Sequence, residues 1–225
     1  MQRHFPMPFV IVIFLLMGAA CNGTMPSLNT VENTPQPVEK HLSAFSPIEG
    51  TSYMIANISG SPAENERGSF SPFSWIERGY SGYSGYEIYN YVFFSSETET
   101  FNRLLPTNEY VVLQIIGFPS GTPTVKPEDF EPVRWWLYVL AKTDTDKNGV
   151  LDYKDQLSIG ITDVGGNSPT EVISDIDSLL GHTLKDPNTL FVIYHSLNKN
   201  YVAKIDLPNR QVLTTSEMDL GADVK

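Results

Sequence analysis

Leu190-Phe-Val-Ile-Tyr-His195, the polar stretch Ser196 to Asn200, and then Tyr201-Val-Ala-Lys-Ile-Asp206 decide the fold class. Both apolar runs are short, rich in β-branched and aromatic residues, and joined by turn-forming residues. That is the pattern of an antiparallel hairpin. Tyr91 to Leu105 has the same shape around Glu97-Thr-Glu-Thr100, and Asp163-Val-Gly-Gly-Asn167 turns a third hairpin. Further strands are expected at Ser52–Ile58, Val111–Gly117, Arg134–Leu140, Leu157–Thr162 and Gln211–Thr214. Ser174 to Leu180 reads equally as a helical turn or as the start of a strand. The expected fold class is therefore all-β: antiparallel hairpins in a partial propeller-like arrangement or a sandwich, with one EF-hand-like calcium loop inserted. A full propeller needs at least about four four-stranded blades, more than these strands fill.

The inserted loop is Asp144-Thr-Asp-Lys-Asn-Gly-Val-Leu-Asp-Tyr-Lys-Asp155. A hard cation such as Ca²⁺ takes six to eight oxygens, and an EF-hand-type loop supplies them from positions 1, 3, 5, 7, 9 and 12, with glycine at 6 for the bend. Here those positions hold Asp144, Asp146, Asn148, Val150 through its carbonyl, Asp152 and Asp155, and Gly149 stands at the bend. A solvated Asx turn would also gather Asp, Asn and Gly, but it would not order them at alternating positions. Asp155 is one methylene shorter than the glutamate that closes such loops with both oxygens. The flanks, Val133–Leu140 and Gln156–Ile161, read as strands, so the expected context is a strand-loop-strand clip and not a helix-loop-helix.

Residues 1–20 have the parts of a secretory signal: a polar start with Arg3, an apolar stretch from Phe5 to Met17, and Gly18-Ala19-Ala20. Cys21 is the sole cysteine of the chain, so no intramolecular disulfide is available. Residues 21–47 contain Pro, Thr, Ser and Asn without apolar periodicity and read as a tether. Residues 48–225 are expected to form a single β-rich calcium-binding domain. The net charge of −11 makes nucleic acid an improbable partner and divalent cations compatible ones.

Gly18-Ala19-Ala20-Cys21 resembles the lipobox of bacterial lipoproteins, which implies lipid attachment at Cys21 and a membrane partner through that lipid. Asn22 does not resemble an inner-membrane retention signal, so an outer-membrane address facing the periplasm follows for a Gram-negative host. The calcium loop, with Asp at its last position, resembles the dockerin variety, although dockerins carry two such loops with helices. The hairpins look like blade halves of the propeller repeats in periplasmic Tol-type proteins. Leu104-Leu105-Pro106, the Asp-x-Asp-x-Asn-Gly loop, Leu180-Gly181-His182 and the strand Leu190–Tyr194 together resemble a group of uncharacterised proteobacterial envelope lipoproteins. That resemblance implies a bound ion and an envelope location, and brings no activity with it.

Gly79-Tyr-Ser-Gly-Tyr-Ser-Gly-Tyr86 is the second unusual stretch. Glycine at every third residue opposes regular structure, so Tyr80, Tyr83 and Tyr86 read as a possible ligand platform for a glycan or an envelope protein, or as rings folded back on the core. Trp75, Trp135 and Trp136 read as core. His182 and His195 read as structural residues. No nucleophile elbow, phosphate loop or His-Glu-x-x-His helix is present. The functional expectation is a non-catalytic, calcium-binding envelope module. The alternative is a calcium-dependent hydrolase of envelope polysaccharide using the histidines or Asp163, Asp175 and Asp177.

Overall fold

The structure, a computed structural model, describes residues 38–60, 87–119, 131–219 and 221. Among these it is all-β, with thirteen strands in three antiparallel sheets. The first sheet holds β1 (Lys40–Leu42), β2 (Ser46–Pro47), β3 (Tyr53–Gly60), β4 (Ile88–Ser95) and β5 (Thr100–Arg103), in the order β1-β3-β4-β5 with β2 also on β3. The second is the meander β6 (Val111–Phe118), β7 (Trp135–Ala141), β8 (Leu157–Asp163) and β9 (Thr170–Ile176). The third is the meander β10 (Ser178–Asp186), β11 (Thr189–Ser196), β12 (Lys199–Asp206) and β13 (Gln211–Glu217). The expected hairpins are all present.

Strand β7 shows how the sheets are layered. Side chains alternate across a strand, and here the alternate positions enter two different cores. Trp136, Tyr138 and Leu140 join Ile55, Tyr91 and Phe93 of the first sheet. Leu137, Val139 and Ala141 join Leu190, Val192, Ala203 and Ile205 of the third. The second sheet is thus covered on both faces, which explains why Trp135–Ala141 is a continuous apolar run where a half-exposed strand would alternate. Each fully buried side chain of this kind contributes about 1.5–3 kcal/mol.

Close approach between neighbouring strands is visible at Gly160, where an added Cβ would lie 2.1 Å from the ring of its cross-strand partner Tyr138. Gly166 has φ +73 and meets the Phe93 ring, so both its conformation and its lack of a side chain are required. The turn containing Gly166 is organised by Asp163, whose Oδ1 accepts from the backbone N–H of Gly165 (3.0 Å) and Asn167 (2.8 Å). Arg210 of the third sheet donates to the Asn167 carbonyl at 3.4 Å, and Asn102 of the first donates to the Gly165 carbonyl at 3.3 Å. All three sheets therefore meet at the β8–β9 turn.

Three details differ from the sequence expectation. Lys40–Leu42 and Ser46–Pro47, at the end of the stretch read as tether, add to β3 by backbone pairing, which needs no apolar pattern. Ser174–Leu180 is the end of β9 and the start of β10, broken at Asp177 after Asp175 takes φ 56. The β11–β12 turn narrows to Leu197 and Asn198, both at positive φ. Trp136 is core at 1 % exposure, and the partly buried Trp135 packs against the other core, the one shared by the second and third sheets. Trp75, Cys21, Tyr80, Tyr83 and Tyr86 lie outside the described residues, as does the proposed signal segment.

Candidate metal centre

The twelve-residue loop closes the hairpin of β7 and β8, which pair up to Ala141 opposite Leu157. Its flanks are strands on both sides, as the composition around it implied. Leu151, at the eighth position, packs against the core shared by the second and third sheets. The Tyr153 hydroxyl donates to the Leu113 carbonyl of β6 at 2.8 Å. Two side chains thus fasten the loop to the body of the sheet.

Inside the loop the carboxylates face their own backbone. Asp144 accepts from Asn148 N–H at 3.1 Å and Gly149 N–H at 2.8 Å through separate oxygens. Asp146 accepts from Asn148 N–H at 3.0 Å, and Asn148 Oδ1 accepts from Val150 N–H at 2.8 Å. These short-range bonds curl the chain around a common centre. The curl needs left-handed backbone at Lys147 (φ 61) and Gly149 (φ 87). At the sixth position glycine meets that requirement without steric cost.

Asp155 is the buried member, at 1 % exposure. Its Oδ1 accepts from Thr145 N–H (2.6 Å), Thr145 Oγ1 (3.1 Å) and Asp146 N–H (3.4 Å), and its Oδ2 from Asp152 N–H (2.9 Å). Desolvation pushes its pKa up, but the backbone N–H groups of Asp152, Thr145 and Asp146 and the Thr145 hydroxyl outweigh it, and the carboxyl titrates below the usual range. One charged side chain therefore clasps the beginning of the loop to its end. Thr145 extends the clasp, since its hydroxyl also accepts from Gln156 N–H at 2.9 Å.

Asp144, Asp146 and Asp155 each offer a carboxylate oxygen, and these lie within 4.8 Å of one another. Two like charges about 4 Å apart repel by about 1 kcal/mol in bulk water and about 4 kcal/mol near a protein surface. A bound cation converts that repulsion into attraction, and the cluster could hold a metal ion. Of the remaining expected donors, Asp152 is half-buried and Val150 and Asn148 are exposed at the loop rim. Asp152 accepts from Lys154 N–H at 2.7 Å. Neither Thr145 nor Tyr153 was marked by the sequence, because each acts by a hydrogen bond outside the donor spacing.

The histidines do not form a pair. His182 stands opposite Val192 on the covered face of the third sheet, edge-on to Phe118 at 5.2 Å. Burial lowers its pKa from the usual value. His195 lies on the other face of that sheet, between Asn200 Oδ1 at 2.9 Å and Asp177 Oδ2 at 3.9 Å. Asp177 also accepts from Gln156 Nε2 at 2.7 Å, and Asp163 is held in its turn. Among the described residues no helix is long and apolar enough to cross a membrane.

No family model matches the chain, and no curated protein matches it. Among solved structures it is similar to the β-propeller domain of the Trilobed protease from Pyrococcus furiosus, at 11 % identity and a TM-score of 0.37. The match covers 80 % of this chain and 43 % of that one, so the chain spans less than half of its neighbour's length.

Proposed function

We propose that the protein is a calcium-binding envelope lipoprotein that acts as a non-catalytic binding or interaction module. The observation behind this reading is the convergence of Asp144, Asp146 and Asp155 in a loop whose spacing also supplies Asn148, the Val150 carbonyl and Asp152. An all-oxygen set with four carboxylates suits a hard cation; thiolate and imidazole donors, which softer metals prefer, are missing from the twelve positions. The ion would stabilise the β7–β8 hairpin by neutralising the cluster. Loops of this kind in extracytoplasmic modules work at about 10⁻⁴ to 10⁻³ M Ca²⁺, which fits a structural ion in an exported protein. Lipid attachment at Cys21 would hold the domain at the membrane, with an envelope protein or a glycan as its partner.

Hydrolysis is the weaker reading, since the two histidines point from opposite faces of one sheet. The test is thermal unfolding of the full chain with Ca²⁺ and with a chelator. At a hundred times the dissociation constant the ion adds about 2.7 kcal/mol, read as a higher midpoint. An identical midpoint in chelator counts against the reading. Loss of the Ca²⁺ response on replacing Cys21 would not be expected, and radiolabelled fatty acid incorporation tests the anchor separately.

A further inference from the structure

Gln156 follows the buried clasp residue Asp155 directly and is tied in two directions. Its backbone N–H donates to the Thr145 hydroxyl inside the loop at 2.9 Å. Its side-chain Nε2 donates to Asp177 Oδ1 at 2.7 Å, outside the loop, where β9 ends and β10 begins. That corner carries the chain from the second sheet into the third and turns through left-handed backbone at Asp175, φ 56. It is knitted to the end of β11: Asp177 N–H donates to the His195 carbonyl at 2.8 Å, the Ser196 hydroxyl donates to the Asp175 carbonyl at 2.8 Å, and Asp177 Oδ2 lies 3.9 Å from His195 Nε2. Leu157, next after Gln156, pairs with Ile176, and both are buried. The place of Gln156 against the corner is therefore set by core packing on one side and by closure of the loop on the other.

We infer that an ion in this loop governs the corner between the second and third sheets, with Gln156 as the coupling residue; the inference rests on the calcium reading above. Without a cation the carboxylates of Asp144, Asp146 and Asp155, whose oxygens lie within 4.8 Å of one another, repel and favour a looser loop. Thr145 then holds the Gln156 backbone less firmly, and the side-chain amide spends less time on Asp177. Filling the loop fixes Thr145 and Asp155 together and with them the root of the Gln156 side chain. A donor on a carboxylate makes one of the stronger hydrogen bonds, so the gain at the corner is more than a surface contact would give. Linkage makes the effect mutual: by whatever factor the ion favours the Gln156–Asp177 bond, that bond raises the affinity for the ion. Gln156 lies outside the donor positions, so this contribution is separate from coordination.

Residue-resolved hydrogen exchange of the full chain, with Ca²⁺ and with a chelator, tests this. The amide of Asp177 is read against that of Leu207, which donates to the Asn188 carbonyl at 2.9 Å at the other end of the third sheet. A rise in global stability slows both amides alike, whereas coupling slows Asp177 by at least about fivefold more, the lower end of typical coupling between sites. Gln156→Ala changes an exposed side chain and keeps the backbone bond to Thr145. It should abolish the excess slowing and weaken Ca²⁺ binding in titration by a similar factor. Asp177→Ala removes the acceptor from the other side, and the double variant should bind no more weakly than Asp177→Ala alone. Equal slowing of both amides, an excess that survives Gln156→Ala, or unchanged affinity in that variant would overturn the inference and leave the calcium reading standing. Absence of Ca²⁺ binding by the parent would remove both.

Discussion

The β7–β8 and β11–β12 connections occupy the same place in successive meanders, between the second and third strands, yet they solve the problem of reversal in opposite ways. Leu197 and Asn198 reverse the third sheet alone, with φ 53 and φ 60. That is the left-handed pair of a type I′ turn, whose twist matches the strands. The second sheet instead uses the whole stretch from Lys142 to Gln156, closed by Asp155 and curled around three carboxylates. A loop this long adds closure entropy that the two-residue turn does not. The long connection is held by charge and hydrogen bonds, so its stability depends on solution conditions that leave the short turn untouched.

Breaking the clasp should give the largest effect. Asp155→Ala leaves the N–H groups of Thr145, Asp146 and Asp152 without their acceptor, and a loss of about 3 kcal/mol is expected in urea unfolding. The depressed pKa of Asp155 fixes the sign with pH. Its contribution is fully present above the usual 3.8 and is lost as pH falls through the folded value, so parent and variant should converge in acid. Tyr153→Phe removes the tie to the Leu113 carbonyl and should cost about 1 kcal/mol. At the short turn the sign reverses. Leu197 is 81 % exposed in a left-handed conformation, and Leu197→Asn should raise stability by about 1 kcal/mol, because asparagine tolerates that region.

The smallest effect concerns His182 in the third sheet. Burial lowers its pKa, so the folded state binds fewer protons than the unfolded chain just below the usual 6.5. Stability should therefore fall as pH drops below about 6.5. His182→Gln should flatten that slope in melts taken across the range, and an unchanged slope would place its origin elsewhere.

The strands and the loop were legible for the same reason: spacing. Alternation at Leu190–His195 against Tyr201–Asp206 reported one buried face, and the structure pairs Leu190 with Ile205 and Val192 with Ala203 accordingly. The six-position donor pattern includes Asp144, Asp146 and Asp155, whose carboxylate oxygens lie within 4.8 Å of one another. What spacing could not show was the layering. Trp135–Ala141 is uniformly apolar, and a continuous run does not say that its alternate residues serve two cores. Lys40–Leu42 escaped notice because an edge strand paired through its backbone carries no apolar signature. Thr145 escaped because its hydroxyl bridges Asp155 to Gln156, a contact fixed by the closed loop and not by residue type.

Whether this loop holds the ion is decided by calorimetric titration of chelator-stripped full-length protein with Ca²⁺, in parallel with Asp144→Ala/Asp146→Ala. Saturable heat is expected for the parent, at about 10⁻⁴ to 10⁻³ M Ca²⁺, and none for the double variant. Absence of saturable binding by the parent, or equal binding by both proteins, would contradict the assignment of this loop as the site of the ion.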